Sequence, residues 1–368
     1  MKLVIDDKIP YIRGVFESCA DVLYRHGAAF SVGDVADADA LIVRTRTEVG
    51  PALLEQSTVK LVVTATVGVD HLDTRWLAER GIEWRSCPGC NAESVAQYMT
   101  AAFLHLSAWS GRSLRELVLG VVGAGHVGNK VIAKALALGM TVLVNDPPRE
   151  AEEGPGQFSS LETLRHEADF ISFHVPLHRE GPYRSVHLAD GVFLAGMKAT
   201  AVLFNTSRGA VVDNVALRDA LRRRDIGGAV LDVWEGEPDI DQDLLALTHI
   251  ATPHIAGYSA DGKALGTAMS VQHVSRFFGL GLDEWHSDEL SRPGAMHIDL
   301  GGRAAGGFSD AVVYTYDIVS DDRCLRENPR GFEDQRGRHP VRREFGAYTV
   351  SADETALLDT LSALGFKS

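Results

Sequence analysis

The sequence predicts an α/β protein with a doubly wound parallel sheet, and three features of its 368 residues predict this fold class. Short runs of β-branched residues and leucine alternate with stretches of helical periodicity. The runs are nearly continuous in apolar residues, as is typical of parallel strands covered by helices on both faces. A glycine-rich turn joins one of these runs to a helix. A chain of this length is expected to form about two or three domains.

Composition and charge exclude several classes of protein. Thirty-six basic residues stand against fifty acidic ones, which gives a net charge of −14. So acidic a surface repels nucleic acid and anionic membranes, and neither partner is expected. No apolar run approaches the ~18 residues that cross a bilayer, and the N-terminus has no signal-peptide pattern. We therefore expect a cytoplasmic protein.

Cysteine usage agrees with a reducing compartment. Four cysteines in 368 residues do not form a disulfide framework. Cys87 and Cys90 have C-x-x-C spacing, but a structural zinc site needs a second pair, and Pro88-Gly89 is typical of a turn after a strand. No metal site is predicted, and a redox role is the less favoured interpretation.

The N-terminal third begins the alternation. A long helix follows it, for which Asn91 is the expected N-cap. Strands are predicted at 3–5, 40–43, 61–63 and 82–85, and helices at 11–26, 51–54 and 92–110.

A second α/β series follows and carries the strongest signal. A strand, a glycine turn and a helix come in direct succession, and further strands follow at regular intervals. The strands are predicted at 117–122, 140–146, 170–173, 201–205, 228–233 and 250–251, the turn at 123–128 and the helix at 129–138.

From about residue 285 the pattern changes. Residues 291–307 are rich in Gly and Pro. Strands are predicted at 312–318 and 347–350 and a helix at 354–364, which favours a small appended α+β module.

The turn has the G-x-G-x-x-G pattern in the context of a dinucleotide site. Gly123 permits the tight turn, Gly125 allows a pyrophosphate to approach the backbone, and Gly128 allows close packing of helix and strand. The helix N-terminus supplies N–H groups to the phosphates. Asp146, eighteen residues beyond Gly128, can accept hydrogen bonds from ribose hydroxyls and favours NAD over NADP. Arg149 weakens that preference, and a glycine-rich turn of an unrelated α/β fold is the alternative.

Three later strand ends carry residues suited to oxidation of a 2-hydroxy acid. Arg208 can bind a carboxylate with paired hydrogen bonds. His254 can take a hydroxyl proton at neutral pH, and Glu237 can fix its tautomer. Taken singly, Arg208 could be a surface ion pair, Glu237 a solvated loop acid and His254 a turn residue.

These motifs together resemble the D-isomer-specific 2-hydroxyacid dehydrogenase family nearly end to end. Further segments that carry the resemblance are 43–45, 64–66, 70–73, 88–92, 181–183 with 187–188, 232–238 and 252–258. The resemblance implies a Rossmann NAD domain (93–256) inserted in a flavodoxin-like α/β substrate domain (1–92 with 257–284). A small C-terminal α+β dimerisation domain (285–368) would follow and form a homodimer.

The resemblance also implies roles for site residues. Arg208, Glu237 and His254 would be catalytic, with Arg208 on the substrate carboxylate. NAD would be bound by Gly123, Gly125, His126, Val127, Gly128, Asp146, Val175, Asp232 and Gly257. The substrate, a small phosphorylated 2-hydroxy acid, would be bound by Thr45, Thr66 and Tyr258, and we expect Arg44 and Arg46 to bind its phosphate.

Two alternatives stay open from the sequence. One is another enzyme of the family, such as a phosphoglycerate or glyoxylate/hydroxypyruvate dehydrogenase. The other is a non-catalytic protein that senses NAD on the same fold.

Overall fold

The computed structural model describes residues 1–288, 290–292, 294–303 and 307–368. They divide into two compact units. One contains Met1–Asn91 and Ser259–Ser291, and the other contains Ala92–Tyr258 and Arg292–Ser368. The predicted three-domain division stays a prediction; by its contacts, the C-terminal segment groups with the central part of the chain.

The strands are β1 (Lys2–Asp6), β2 (Asp21–Arg25), β3 (Ala40–Val43), β4 (Leu61–Thr64), β5 (Glu83–Arg85), β6 (Val118–Val122), β7 (Thr141–Asn145), β8 (Phe170–Phe173), β9 (Val202–Asn205), β10 (Gly228–Leu231), β11 (Ile250–Ala251), β12 (His297–Asp299) and β13 (Thr349–Ser351). The helices are α1 (Val32–Val35), α2 (Pro51–Leu54), α3 (Thr74–Glu79), α4 (Ala92–Ser110), α5 (His126–Ala137), α6 (Pro147–Glu153), α7 (Leu161–Glu167), α8 (Gly191–Ala195), α9 (Asn214–Arg223), α10 (Gln242–Leu247), α11 (Ala260–Phe278), α12 (Phe308–Thr315), α13 (Ile318–Glu327), α14 (Phe332–Gly337) and α15 (Thr355–Ala363). Among the described residues, none of the helices has the length and apolar character that a membrane span requires.

The first unit has a five-stranded parallel sheet in the order β2-β1-β3-β4-β5. This is the flavodoxin-like strand order. The predicted helix at 11–26 was wrong: residues 11–20 form turns and bends, and β2 occupies Asp21–Arg25. Gly14 has a φ of 84°, which a helix cannot accommodate. The segment Asp21–Arg25 has exposed charged ends and a half-buried apolar middle, and it forms an edge strand beside β1.

The second unit has a six-stranded parallel sheet in the order β11-β10-β9-β8-β6-β7. The chain places β7 on one side of β6 and β8 on the other, so the strand order reverses at β6. Ligands of doubly wound sheets bind at the carboxyl ends of the strands at such a reversal. This confirms the α/β fold class and the doubly wound sheet.

Residues of the C-terminal segment share the core of this second unit. The Tyr316 ring lies 6.1 Å from the ring of Tyr98 on α4. The predicted strand at 312–318 was wrong, because α12 covers most of it. Val312 and Thr315 are buried and Val313 is exposed, a spacing that fits one face of a helix. Packing of that face on α4 outweighs the β propensity of the valines.

Helix α4 has the predicted bounds, but its predicted cap is absent. The side-chain oxygen of Asn91 is buried and makes no hydrogen bond to any described residue.

Candidate active site

The glycine turn after β6 has the geometry that a dinucleotide needs. Gly123 has a φ of 89°, and a Cβ atom there would lie 2.7 Å from the carbonyl oxygen of His174. A Cβ atom on Gly128 would lie 2.0 Å from the carbonyl oxygen of Gly123. A Cβ atom on Gly125 would meet no atom within 4 Å, so the space beside this backbone is open. The turn therefore fits a pyrophosphate at the N-terminus of α5, which begins at His126.

Asp146 directly follows β7 and is bonded to this turn. Its Oδ2 accepts a hydrogen bond from the Ala124 N–H at 2.8 Å, and its Oδ1 caps α6 by accepting from the Arg149 N–H at 3.1 Å. The Arg149 guanidinium pairs with both oxygens of Glu153, at 2.6 and 3.0 Å. Arg149, the residue that could have favoured NADP, is thus already engaged by a carboxylate.

His174 and Val175 follow β8 on the other side of the glycine turn. The sequence pointed to Val175 alone, although a position directly after a parallel strand is a general signal for site residues. Burial lowers the pKa of His174 to about 3, and its Nε2 lies 2.8 Å from the Ser172 hydroxyl. His174 is therefore neutral at physiological pH and adds no positive charge beside the dinucleotide turn.

Asp232, directly after β10, holds the turn that carries His254. Its Oδ1 accepts hydrogen bonds from the Ile255 N–H at 2.7 Å and the Thr252 hydroxyl at 2.7 Å. Its Oδ2 accepts from the Ala256 N–H at 2.9 Å. Burial raises the pKa of Asp232, although these hydrogen bonds and the charge of His254 act in the opposite direction. Gly257 and Tyr258, both half-buried, come next.

Glu237 and His254 form a direct pair. The His254 Nδ1 lies 2.7 Å from the Glu237 Oε2, and the Glu237 Oε1 accepts from the Trp234 N–H at 2.8 Å. Burial alone would raise the pKa of Glu237, but the His254 contact, the Trp234 N–H and the charge of Arg336 hold it below its usual value. Because an ionised carboxylate only accepts hydrogen bonds, Nδ1 of His254 carries the proton and Nε2 is left to accept another.

Arg208 follows β9, at the same sheet edge as the Glu237–His254 pair. The next residue, Gly209, packs so closely on the loop carrying Glu237 that a Cβ atom would lie 2.0 Å from the Trp234 carbonyl oxygen. The half-buried Arg208 side chain donates from Nη1 to the Ser207 carbonyl at 2.8 Å. The carboxyl ends of β9, β10 and β11 thus position the three predicted catalytic residues.

The other predicted substrate residues belong to the first unit. Arg44, Thr45 and Arg46 directly follow β3, and Thr66 follows β4. Arg44 donates from Nε to the fully buried Asp6 at 3.1 Å, so its guanidinium already forms an ion pair. Thr45 and Arg46 are exposed, and the Thr66 hydroxyl lies 2.8 Å from that of Thr64.

Both cysteines of the C-x-x-C pair are buried. Burial raises the pKa of the Cys87 thiol to about 11, and its Sγ donates to the Gly266 carbonyl at 3.2 Å. A thiol with so high a pKa stays protonated at neutral pH, whereas redox chemistry requires the thiolate.

A turn built for a dinucleotide, together with a carboxylate-paired histidine on the same sheet edge, defines this chain as an NAD-dependent dehydrogenase. Residues 92–256 match the family model described as "D-isomer specific 2-hydroxyacid dehydrogenase, NAD binding domain". Residues 297–365 match the model of a domain of unknown function.

Similar curated proteins narrow this class. An erythronate-4-phosphate dehydrogenase of Bacteroides fragilis is 46% identical over 351 residues, which are 95% of this chain and 99% of that protein. One of Porphyromonas gingivalis is 42% identical and covers 100% of both chains. One of Escherichia coli is 40% identical over 100% of this chain and 98% of its own. The chain belongs to the erythronate-4-phosphate dehydrogenases, within the D-isomer-specific 2-hydroxyacid dehydrogenase family.

Solved structures show the same fold. D-lactate dehydrogenase from Aquifex aeolicus, complexed with NAD and lactic acid, is 28% identical, with a TM-score of 0.65 over 76% of this chain and 96% of that chain. NAD-bound 3-phosphoglycerate dehydrogenase of Entamoeba histolytica also has a TM-score of 0.65, over 79% of this chain and 99% of that chain, at 22% identity.

Proposed function

We propose that this protein oxidises 4-phospho-D-erythronate to 2-oxo-3-hydroxy-4-phosphobutanoate with NAD, as a step of pyridoxal phosphate biosynthesis. The observation that carries this proposal is the similarity to erythronate-4-phosphate dehydrogenases, which extends through the C-terminal segment to 100% of both chains. The Glu237–His254 pair at 2.7 Å supports the chemistry.

The chain's own residues have separate roles in this reaction. His254 accepts the C2 hydroxyl proton at Nε2, and Glu237 stabilises the resulting imidazolium through Nδ1. Arg208 binds the substrate carboxylate, which fixes the C2 hydroxyl relative to the histidine. The nicotinamide of NAD supplies the acceptor for the hydride that leaves C2.

Substrate selection in this proposal depends on Thr45, Thr66 and Tyr258, with Arg44 and Arg46 on the phosphate. Arg46 is the more exposed of the two arginines, whereas the Arg44 guanidinium is ion-paired with Asp6.

We expect Arg46→Ala and Arg44→Ala each to raise KM for the phosphorylated acid by about 10- to 100-fold, because each removes a charge-assisted hydrogen bond. Steady-state kinetics with 4-phosphoerythronate test this. Arg75→Ala, which removes an exposed arginine paired with Glu79, is the control. Unchanged KM in both variants would refute the phosphate site. The melting temperature of Arg44→Ala shows whether this variant loses stability because Asp6 is left without its ion pair.

Homodimerisation through the C-terminal segment and a cytoplasmic location are part of the same proposal. Among the described residues of this segment, four large apolar side chains are between 45% and 56% exposed: Val313, Tyr314, Val319 and Val341. Such side chains are suited to contact with a second copy. None of the four cysteines forms a disulfide bond, which suits a reducing compartment. Sedimentation of the purified protein tests the dimer.

A substrate panel tests the reaction. NADH formation is measured with 4-phosphoerythronate, 3-phosphoglycerate and glycerate, with a 2-oxo acid added as an acceptor in case cofactor is tightly bound. The highest kcat/KM is expected for 4-phosphoerythronate. A higher value for 3-phosphoglycerate indicates the other family enzyme, and no turnover with any acid indicates an NAD sensor.

A further inference from the structure

The turn that carries His254 is held from two directions. Asp232 accepts hydrogen bonds from the N–H groups of Ile255 and Ala256. The carbonyl groups of the same two residues face Arg342, from the C-terminal segment. Its Nη2 donates to the Ala256 oxygen at 2.6 Å and lies 3.4 Å from the Ile255 oxygen.

Arg342 is placed unusually for an arginine. It is 4% exposed, and its guanidinium lies 4.2 Å from the centroid of the Tyr316 ring. Its Nε and Nη1 are buried and make no hydrogen bond to any described residue. A buried cation without a carboxylate partner opposes folding, because its lost hydration is not fully replaced. Stability alone therefore does not explain an arginine at this position.

The turn itself requires support. His254 has a φ of 57°, in the left-handed region that a residue with a Cβ atom rarely occupies. Such a conformation persists where the surrounding structure over-determines it. The orientation of the imidazole depends on it, since Nδ1 must meet Glu237 while Nε2 stays available.

The same C-terminal segment contacts the end of the turn. Asp321 accepts a hydrogen bond from the Tyr316 hydroxyl at 2.9 Å and lies 3.1 Å from the Nε2 of His339. The His339 ring packs edge-on against Tyr258, with ring centroids 6.2 Å apart. The segment thus supports the turn at Ile255–Ala256 through Arg342 and at Tyr258 through His339.

We propose that Arg342 is a positioning residue for the reaction, and that the segment matching a domain of unknown function completes the active site of its own chain. Arg342 fixes the carbonyl side of the turn while Asp232 fixes the amide side. The proposal rests on the proposed function only for its turnover assay.

The test compares Arg342→Met with Arg326→Met. Arg326 belongs to the same segment and donates to the Leu245 carbonyl at 2.7 Å and the Thr248 carbonyl at 2.9 Å. It also pairs at 2.9 Å with Asp322, which accepts from the Ala251 N–H directly before the turn, so this variant tests docking of the segment beside the turn without a contact to Ile255 or Ala256. We expect Arg342→Met to lower kcat about 10- to 100-fold, with NADH affinity within about threefold and no loss of melting temperature. Amide hydrogen exchange in peptides covering 252–258 should become about tenfold faster. Arg326→Met should change neither kcat nor this exchange.

Two results would overturn the proposal. One is a folded Arg342→Met protein with wild-type kcat and wild-type exchange at 252–258. The other is an equal loss in Arg326→Met, which would mean that the segment acts only by docking. If Arg342→Met fails to fold, Arg342→Lys must show the faster exchange. Failure of the wild-type protein to oxidise the phosphorylated acid would refute the proposed function and leave the exchange result standing.

Discussion

Replacing His254 with alanine is expected to lower kcat by about 100- to 10,000-fold, the usual contribution of a positioned general base. The imidazole is the group paired with Glu237, at 2.7 Å, and its Nε2 is the nitrogen left to accept a proton. The glycine turn and Asp146 follow β6 and β7, away from the strand that His254 follows, so NADH binding should survive. Stopped-flow turnover and fluorescence of bound NADH measure the two quantities separately.

His187→Ala is a closely matched control. His187 also has a positive φ, 52°, and its Nε2 lies 2.8 Å from the Glu235 Oε1, in the same loop that carries Glu237. It follows none of the strands that carry the proposed catalytic residues, so its removal should leave kcat within about threefold. Loss of NADH binding together with turnover in His254→Ala would mean that His254 is structural.

Replacing Glu237 with glutamine is expected to lower kcat by about 100-fold. The amide has nearly the shape of the carboxylate but no charge, so it stabilises the imidazolium less and no longer fixes which nitrogen carries the proton. KM should change little, because the side chain faces His254. Glu235→Gln, which alters the neighbouring glutamate–histidine pair, is the control and should retain wild-type kcat.

The melting temperature of the same variant should depend on pH less than that of the wild type does. The pKa of Glu237 is held below its usual value in the folded protein. Its ionised form therefore stabilises the fold fully above about pH 4.3, the unfolded-state pKa, and this stabilisation is lost as pH falls through the folded pKa. Glu237→Gln lacks this component, so its melting temperature should fall less than that of the wild type below about pH 4.3. Parallel curves for the two proteins would contradict this assignment.

The sequence was informative where physical constraints are local. A pyrophosphate turn needs glycine at 123 and 128 for steric reasons that operate within a few residues, and the parallel strands are marked by continuous apolar runs. The failures have long-range causes. Residues 312–315 have β propensity but form the end of α12, because α4 offers a surface for one helical face. Arg342 lies 86 residues from Ala256 in the chain, and no spacing rule connects them.

The division of the first unit between two chain segments has a consequence for biosynthesis. Val271 and Val274 of α11 pack in one cluster with Leu3 and Ile5 of β1 and Ile42 of β3. The ribosome needs about 10–30 s to add the ~170 residues that separate Asn91 from Ser259. During that interval, the nascent first sheet has one apolar face without its covering helix. Co-translational chaperones that bind exposed apolar strands are therefore expected to engage the N-terminal segment until α11 has emerged.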